Sequence, residues 1–351
     1  MSHHHITENV LEKKPRASSW IPCILCFLIG LAVFPLIQYF TPSATQKIYP
    51  LRESSLNKTN YKFVDPLLGL TIPDNFSSKQ YVALQQSINS FVHDEVQKNN
   101  LETASVYFRD EKTAAGFSIN SSEKYSPASL LKVPIMTVYY KLAEENPAIL
   151  NQEIVYNENT DLNAQENILS PIQLQKGQKY SIGELIEHMI KYSDNNAATL
   201  LVQHLNNLSS YDYQGQFFKS LGINEIDIGK DFITINAYSL FFRILYNATY
   251  LDPRMSEKAL ALLSQTDFTK GLSGGIPNNI TIAQKFGEFT AKTTDGSVIK
   301  RELHNCGLVY YPNHPYLICV MTKGKDFSSL ENVISTISGK IFQYTEQMYG
   351  N

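Results

Sequence analysis

A serine and a lysine stand three residues apart in Ser129-Leu130-Leu131-Lys132, where an apolar helical stretch begins. On a helix that spacing puts both side chains on one face, within reach of each other. A neutral lysine amine there could take the serine proton, and the helix N-terminus offers backbone N–H groups to a developing oxyanion. The spacing itself is common: Ser55/Lys58, Ser121/Lys124 and Ser297/Lys300 repeat it. Context separates Ser129. Pro127-Ala128 leads into it, and Val133, Ile135, Met136 and Val138 follow, which would bury the lysine and lower its pKa.

Two further groups have the right chemistry. Ser193-Asp194-Asn195 lies between two helical stretches. All three residue types are good helix N-caps, which is the bland reading. The functional reading is a short loop presenting a hydroxyl and an amide to a cleft. Lys285-Phe286-Gly287 ends a strand-like run that starts after Gly275-Ile276-Pro277. Its lysine reads either as an exposed strand-end cation or as an edge-strand cation facing a substrate carboxylate. In the second case Gly287 would admit a ligand backbone closely. Lys292-Thr293-Thr294 competes for that role.

The elements that must position these groups follow from hydrophobic periodicity. Leu84, Ile88, Phe91, Val92 and Val96 predict a helix. Thr103 to Phe108 and Ala114 to Ile119 read as two strands around a turn at Asp110-Glu111-Lys112-Thr113. From Ser129 to about Phe268 the signals are mainly helical, as in Leu130 to Ala143, Ile182 to Tyr192 and Ala197 to Leu205. Strands return at Ile280 to Phe286, Cys306 to Tyr311 and Tyr316 to Thr322. A last helix carries Leu330, Val333, Ile334, Ile337, Ile341 and Tyr344 on one face. That order predicts one antiparallel sheet built from both chain ends, with a helical lobe inserted.

Taken together and in this order, the three polar groups resemble the penicillin-recognising serine hydrolases, in particular the class A β-lactamase family. The family's motifs are S-x-x-K, S-D-N and K-T-G. The stretch "SPASLLKVPIM" is similar to its nucleophile helix and "YSIGELIEHMIKYSDNNAATLL" to its S-D-N region. "GGIPNNITIAQKFG" and "HNCGLVYYPNHPYLICVMTKG" are similar to its last strands. The resemblance runs from about residue 80 to 348. It implies an α+β fold of the β-lactamase/transpeptidase type: an antiparallel sheet with flanking helices and an inserted all-helical lobe. It also implies roles. Ser129 would be the acylated nucleophile and Lys132 its proton acceptor. Ser193 would relay the proton to the leaving nitrogen, and Asn195 would hold Lys132 and a substrate carbonyl. Lys285 would face the substrate carboxylate, and the backbone N–H groups of Ser129 and Glu288 would form the oxyanion hole. No cofactor and no metal is implied.

The sequence departs from the family at two places. Phe286 stands where the family has Thr or Ser, which removes a hydroxyl that would bind the substrate carboxylate. Losing one charge-assisted hydrogen bond costs ~1.5–3 kcal/mol, so altered substrate binding is expected. Class A enzymes also activate the deacylating water with a glutamate on a long loop after S-D-N. Here Leu221 to Ile235, "LGINEIDIGKDFITI", reads as a shortened loop without an E-x-x-x-N pattern. Glu225, Asp227 and Asp231 are acidic, but nothing marks one of them as that base, and Glu166 precedes Ser193 in the chain. Without the carboxylate an acyl-enzyme could form and persist.

The chain has 351 residues, 43% hydrophobic and 18% charged, with a net charge of −3. That is globular composition with no strongly basic face, so no nucleic-acid partner is expected. The histidines show no metal-ligand spacing. Trp20 to Phe40 is uncharged and apolar and, at ~1.5 Å per residue, long enough for a ~30 Å bilayer core. Lys13, Lys14 and Arg16 precede it closely, which predicts a cytoplasmic N-terminus and an exported remainder. A cleaved signal peptide is the alternative. The organisation expected is therefore a cytoplasmic tail (1–19), a transmembrane anchor (20–40), a linker (41–78) and the hydrolase domain (79–351). Cys306 and Cys319 fall in apolar runs as buried thiols, although a hairpin about Pro312 to Pro315 would also let them pair. The expected form is a monomer in the cell membrane acting on a β-lactam or peptidoglycan-like small substrate. A penicillin-binding-type peptidoglycan D,D-peptidase and a non-catalytic envelope-binding module of the same fold are the competing readings.

Overall fold

The computed structural model describes Arg52, Glu53 and residues 61–67, 79–223 and 232–350. In chain order these residues form helix α1 (Val82–Gln97), strands β1 (Thr103–Asp110), β2 (Gly116–Ile119) and β3 (Lys124–Tyr125), and helix α2 (Lys132–Glu145). Strands β4 (Glu153–Val155) and β5 (Lys179–Ser181) follow, then helices α3 (Ile182–Lys191), α4 (Asn195–Leu208) and α5 (Tyr213–Ser220). After strand β6 (Ile233–Thr234) come helices α6 (Ile235–Tyr246) and α7 (Pro253–Leu263). Strands β7 (Ile282–Lys292), β8 (Val298–Val309) and β9 (Tyr316–Gly324) and helix α8 (Phe327–Tyr349) close the chain.

The main sheet has the order β2-β1-β9-β8-β7, with antiparallel neighbours throughout. Strands from both chain ends thus meet in one sheet, as the element order predicts. Strand β9 lies near the middle and is buried on both faces, which explains its continuous apolar run. Alternate residues of β9 enter different cores. Ile318 and Val320 pack with Leu84 and Ile88 of α1 and Ile334 and Ile337 of α8. Leu317, Cys319 and Met321 pack with the residues of α2, α3 and α6. The result is a helix layer on one face and the helical lobe on the other.

Helix starts are written locally. Ser181 and Glu184 form a capping box on α3, and Asp252, followed by Pro253, caps α7. Asp326 caps α8 by accepting from the N–H of Ser329 at 2.8 Å. Such caps are worth ~0.5–2 kcal/mol each.

Several expectations change in detail. Strands β7 and β8 form a longer hairpin than predicted, turning at Thr293 to Gly296, where Gly296 has φ 87°. Cys306 and Cys319 face each other across β8 and β9 and are joined as a disulfide, not left as thiols. Part of the stretch read as linker lies on the domain. The N–H groups of Phe63 and Val64 donate to the Glu257 carboxylate at 2.8 and 3.1 Å. The Arg52 guanidinium donates to Glu111 and to Asn247. No helix among the described residues is long and apolar enough to cross a membrane. The apolar segment Trp20 to Phe40 lies outside them, as do Glu225, Asp227 and Asp231.

Candidate active site

Ser129 sits in a 3-10 turn, Ala128–Leu131, that runs directly into α2. Pro134 falls in the first turn of α2, and the Leu130 carbonyl four residues before it accepts from Tyr238 instead. The turn is pinned from three sides. Tyr238 of α6 donates its hydroxyl to the Leu130 carbonyl at 3.1 Å. The Glu302 carboxylate accepts from the Ser126 N–H at 2.8 Å. The Gly287 backbone lies so close that a Cβ there would be 3.1 Å from Leu130 N and from Pro127 O. Gly287 therefore accommodates the serine turn itself, a different reason for glycine from the ligand approach expected. Ala128 has φ 47°, a left-handed conformation that a non-glycine residue keeps only when its surroundings hold it.

Lys132, the first residue of α2, is 4% exposed. Its Nζ donates to Ser129 Oγ at 2.7 Å, to Asn195 Oδ1 at 2.6 Å and to Ser193 Oγ at 3.2 Å, and it also reaches the Ser193 carbonyl. Burial brings its pKa down to about 7, although the charges of Glu166, Asp194 and Glu288 pull the other way. A substantial share of this amine is therefore neutral near pH 7, beside the hydroxyl it could deprotonate.

Ser193 also has a left-handed backbone, φ 55°. The residue after it supplies the anchor. Asp194 caps α4, accepting from the N–H groups of Asn196 and Ala197 at 2.8 and 3.1 Å. The side chain of Asn163 and the N–H of Leu174 add two more donors. Burial alone would raise the Asp194 pKa, but these bonds and His188 overcome it and hold the carboxyl below its ordinary range. Asp194 is thus the cap, and the cap places Ser193 and Asn195 beside Lys132.

Lys285 lies on β7, the edge strand, and is fully buried. Its Nζ donates to Ser193 Oγ at 2.8 Å and to the Phe286 carbonyl at 2.9 Å. Burial and the charge of Lys132 depress its pKa well below that of an ordinary lysine. Lys292 ends β7 and is exposed, with Thr293 in the hairpin turn, so Lys285 is the lysine in the site. Phe286 turns away from solvent and stacks on Phe268, ring centroids 4.1 Å apart.

Glu288, expected through its backbone N–H, also has a structural use for its side chain. The carboxylate accepts from the N–H groups of Asn167 and Ile168 at 2.8 and 2.6 Å and from the Asn167 amide. It ties the loop 166–168 to β7. Burial raises its pKa, opposed by those bonds and reinforced by neighbouring Glu166.

Glu166 is the site residue that sequence reasoning set aside. It precedes Ser193 in the chain, yet its Oε1 accepts from Asn195 Nδ2 at 2.6 Å. That bond fixes the amide so that Oδ1 faces Lys132. A substrate carbonyl must share or displace it. Nothing local marks Glu166, because the clamp that delivers it comes from Glu288, far along the chain.

Comparisons with known proteins bear on the fold and the family. The chain resembles the solved structure of PBP-A, with 21% identity and a TM-score of 0.61 over 76% of this chain and 97% of that one. A class A β-lactamase from Mycobacterium abscessus gives 18% and 0.61 over 75% and 100%. A class A β-lactamase from Bacteroides cellulosilyticus gives 19% and 0.62 over 77% and 100%. At these identities the likeness speaks for the fold. No curated protein matches the chain. Residues 83–345, most of the sequence, match the β-lactamase enzyme family, and the chain belongs to that family.

Proposed function

We propose that the protein is a membrane-anchored serine hydrolase acting outside the cytoplasm, acylated at Ser129 by a β-lactam or a related acyl compound. The observation that carries this reading is the contact between a buried Lys132 amine, with a pKa of about 7, and Ser129 Oγ at 2.7 Å. Neutral Lys132 takes the Ser129 proton as Oγ attacks the acyl carbon. The backbone N–H groups of Ser129 and Glu288 receive the oxyanion. Ser193 Oγ, within reach of both Lys132 and Lys285, passes the proton to the leaving atom. Asn195 keeps Lys132 aimed. Support for an exported domain comes from the uncharged apolar stretch Trp20 to Phe40 and from the Cys306–Cys319 disulfide, a bond that persists in oxidising compartments.

A second reading is a penicillin-binding-type enzyme that acts on peptidoglycan D-Ala-D-Ala stems. The shortened segment after α5, without the family's E-x-x-x-N pattern, favours slow deacylation. PBP-A, a protein of the same fold, is known in a variant form as an acyl-enzyme with penicillin G.

Intact-protein mass spectrometry after mixing with a penicillin tests both readings. An adduct absent from Ser129→Ala would support Ser129 as the nucleophile. Rapid loss of the adduct would favour a β-lactamase, and persistence a penicillin-binding enzyme. No adduct on the folded protein with either a penicillin or a neutral acylating ester, or labelling that survives in Ser129→Ala, would overturn the assignment.

A further inference from the structure

The third motif ends in an aromatic ring, and the ring has company. A groove of about 360 Å³ is lined by Ile168, Leu169, Ile172, Tyr192, Phe268 and Phe286. Ile168, Leu169, Ile172, Tyr192 and Phe286 also line, together with Ser193 and Glu166, a small recess of about 10 Å³ beside it. The groove thus shares a wall with the segment that carries Ser193, whose hydroxyl serves the leaving group. Leu169 and Ile172 are 52% and 47% exposed, apolar surface that the fold itself leaves uncovered.

The same end of the site is poorly suited to an anion. Lys285 is enclosed, its Nζ lies 4.3 Å from the centroid of the Phe286 ring, and it already donates to Ser193 Oγ and the Phe286 carbonyl. No hydroxyl stands at position 286. The charged residues of the groove are Asp267 and Lys270. Asp267 would repel a carboxylate, and Lys270 is paired with Glu331 at 2.9 Å.

We propose that the site selects acyl substrates whose leaving group is neutral and aromatic, such as an aryl ester, with the ring seated in this groove. This rests on the acyl-enzyme reading above. In the reaction the Ser129 Oγ–acyl bond forms and the acyl–oxygen bond of the ester breaks. The Ser129 proton passes through Lys132 and Ser193 to the departing phenoxide, and water then releases the carboxylic acid from Ser129.

The test compares the phenyl and 3-carboxyphenyl esters of N-benzoylglycine, each rate corrected for its reactivity with hydroxide. Acylation of the wild-type protein should favour the phenyl ester by about tenfold or more, the cost of leaving a carboxylate without its usual partners. Ile172→Lys, at an exposed position outside the core, puts a cation in the groove and should erase the preference. Phe286→Thr should shift it toward the carboxylate ester. Equilibrium binding of both esters to Ser129→Ala separates the two claims. A preference for phenyl there, without acylation of the wild type, would retain the groove's selectivity and overturn the hydrolase reading. Equal binding, a preference for the carboxylate, or no binding of either ester would overturn the groove assignment. Acylation of Ser129 would in that case leave the hydrolase reading standing.

Discussion

Lys132 shows how one buried side chain ties chemistry to stability. Its amine acts as a base only when neutral, so the acylation rate should climb about tenfold per pH unit below pH 7. It should level off above that value, because the pKa lies at about 7. A rate that stays flat from pH 5 to 8 would exclude Lys132 as the proton acceptor. The same depressed pKa has a thermodynamic side. Between about 7 and the ordinary lysine value of 10.5, the unfolded chain binds a proton that the folded chain does not. Stability should therefore rise with pH through that window. Buried Lys285 acts in the same direction. The buried tyrosines Tyr139 and Tyr316, with pKa values pushed far up, reverse the trend above about pH 10, where only the unfolded chain loses their protons. Thermal midpoints from pH 7 to 9 should rise more steeply in the wild-type protein than in Lys132→Met. At this scale the motif residues were legible, because Ser129, Lys132, Ser193 and Asn195 each have neighbours that announce an element. Glu166 was not. Its place depends on the Glu288 carboxylate, a contact across 120 residues or more.

Between elements, the decisive contact joins the edge strand β7 to the serine turn. Gly287 leaves no room for a side chain against Leu130 N and Pro127 O. In Gly287→Ala, backbone on one side must give by a few tenths of an ångström, and neither neighbour is free to move. Tyr238 and Glu302 hold the turn, while β8 holds the strand. The expected outcome is a loss of ~1–3 kcal/mol in denaturant unfolding. Acylation should also slow by about 10–100-fold from the displaced nucleophile. A variant with wild-type acylation would show that this contact does not set the position of Ser129. Helices α1, α3, α4 and α8 could be read from periodicity and caps because each buries one stripe. The far half of the β7–β8 hairpin could not. Residues 292–301 are mostly polar and exposed, so alternation fades there, and only Asp295-Gly296 marks the turn.

Across the whole molecule, the sheet carries both cores and one covalent staple. Cys306 and Cys319 pair in register on β8 and β9, thirteen residues apart in sequence. Closing a loop of this size is worth ~2–4 kcal/mol. The Cys306→Ala/Cys319→Ala double variant should lose about that much in denaturant unfolding. Reduction of the wild-type protein should have the same effect, and reduction of the double variant none. Equal stability of all four samples would show that the bond contributes nothing beyond the hairpin.

The sequence alone, which missed the short strands Lys124–Tyr125, Glu153–Val155, Lys179–Ser181 and Ile233–Thr234, determined the order of the main elements, the α+β class and the three polar groups. These are local properties, written in periodicity, caps and short spacings that survive without a partner. The tertiary structure decided what those groups meet. Folding enclosed Lys285, turned Phe286 onto Phe268, seated Gly287 against the serine turn and brought Glu166 to Asn195. Each of these depends on segments remote in the chain and on exclusion of water, and neither burial nor a long-range contact is encoded at any single position.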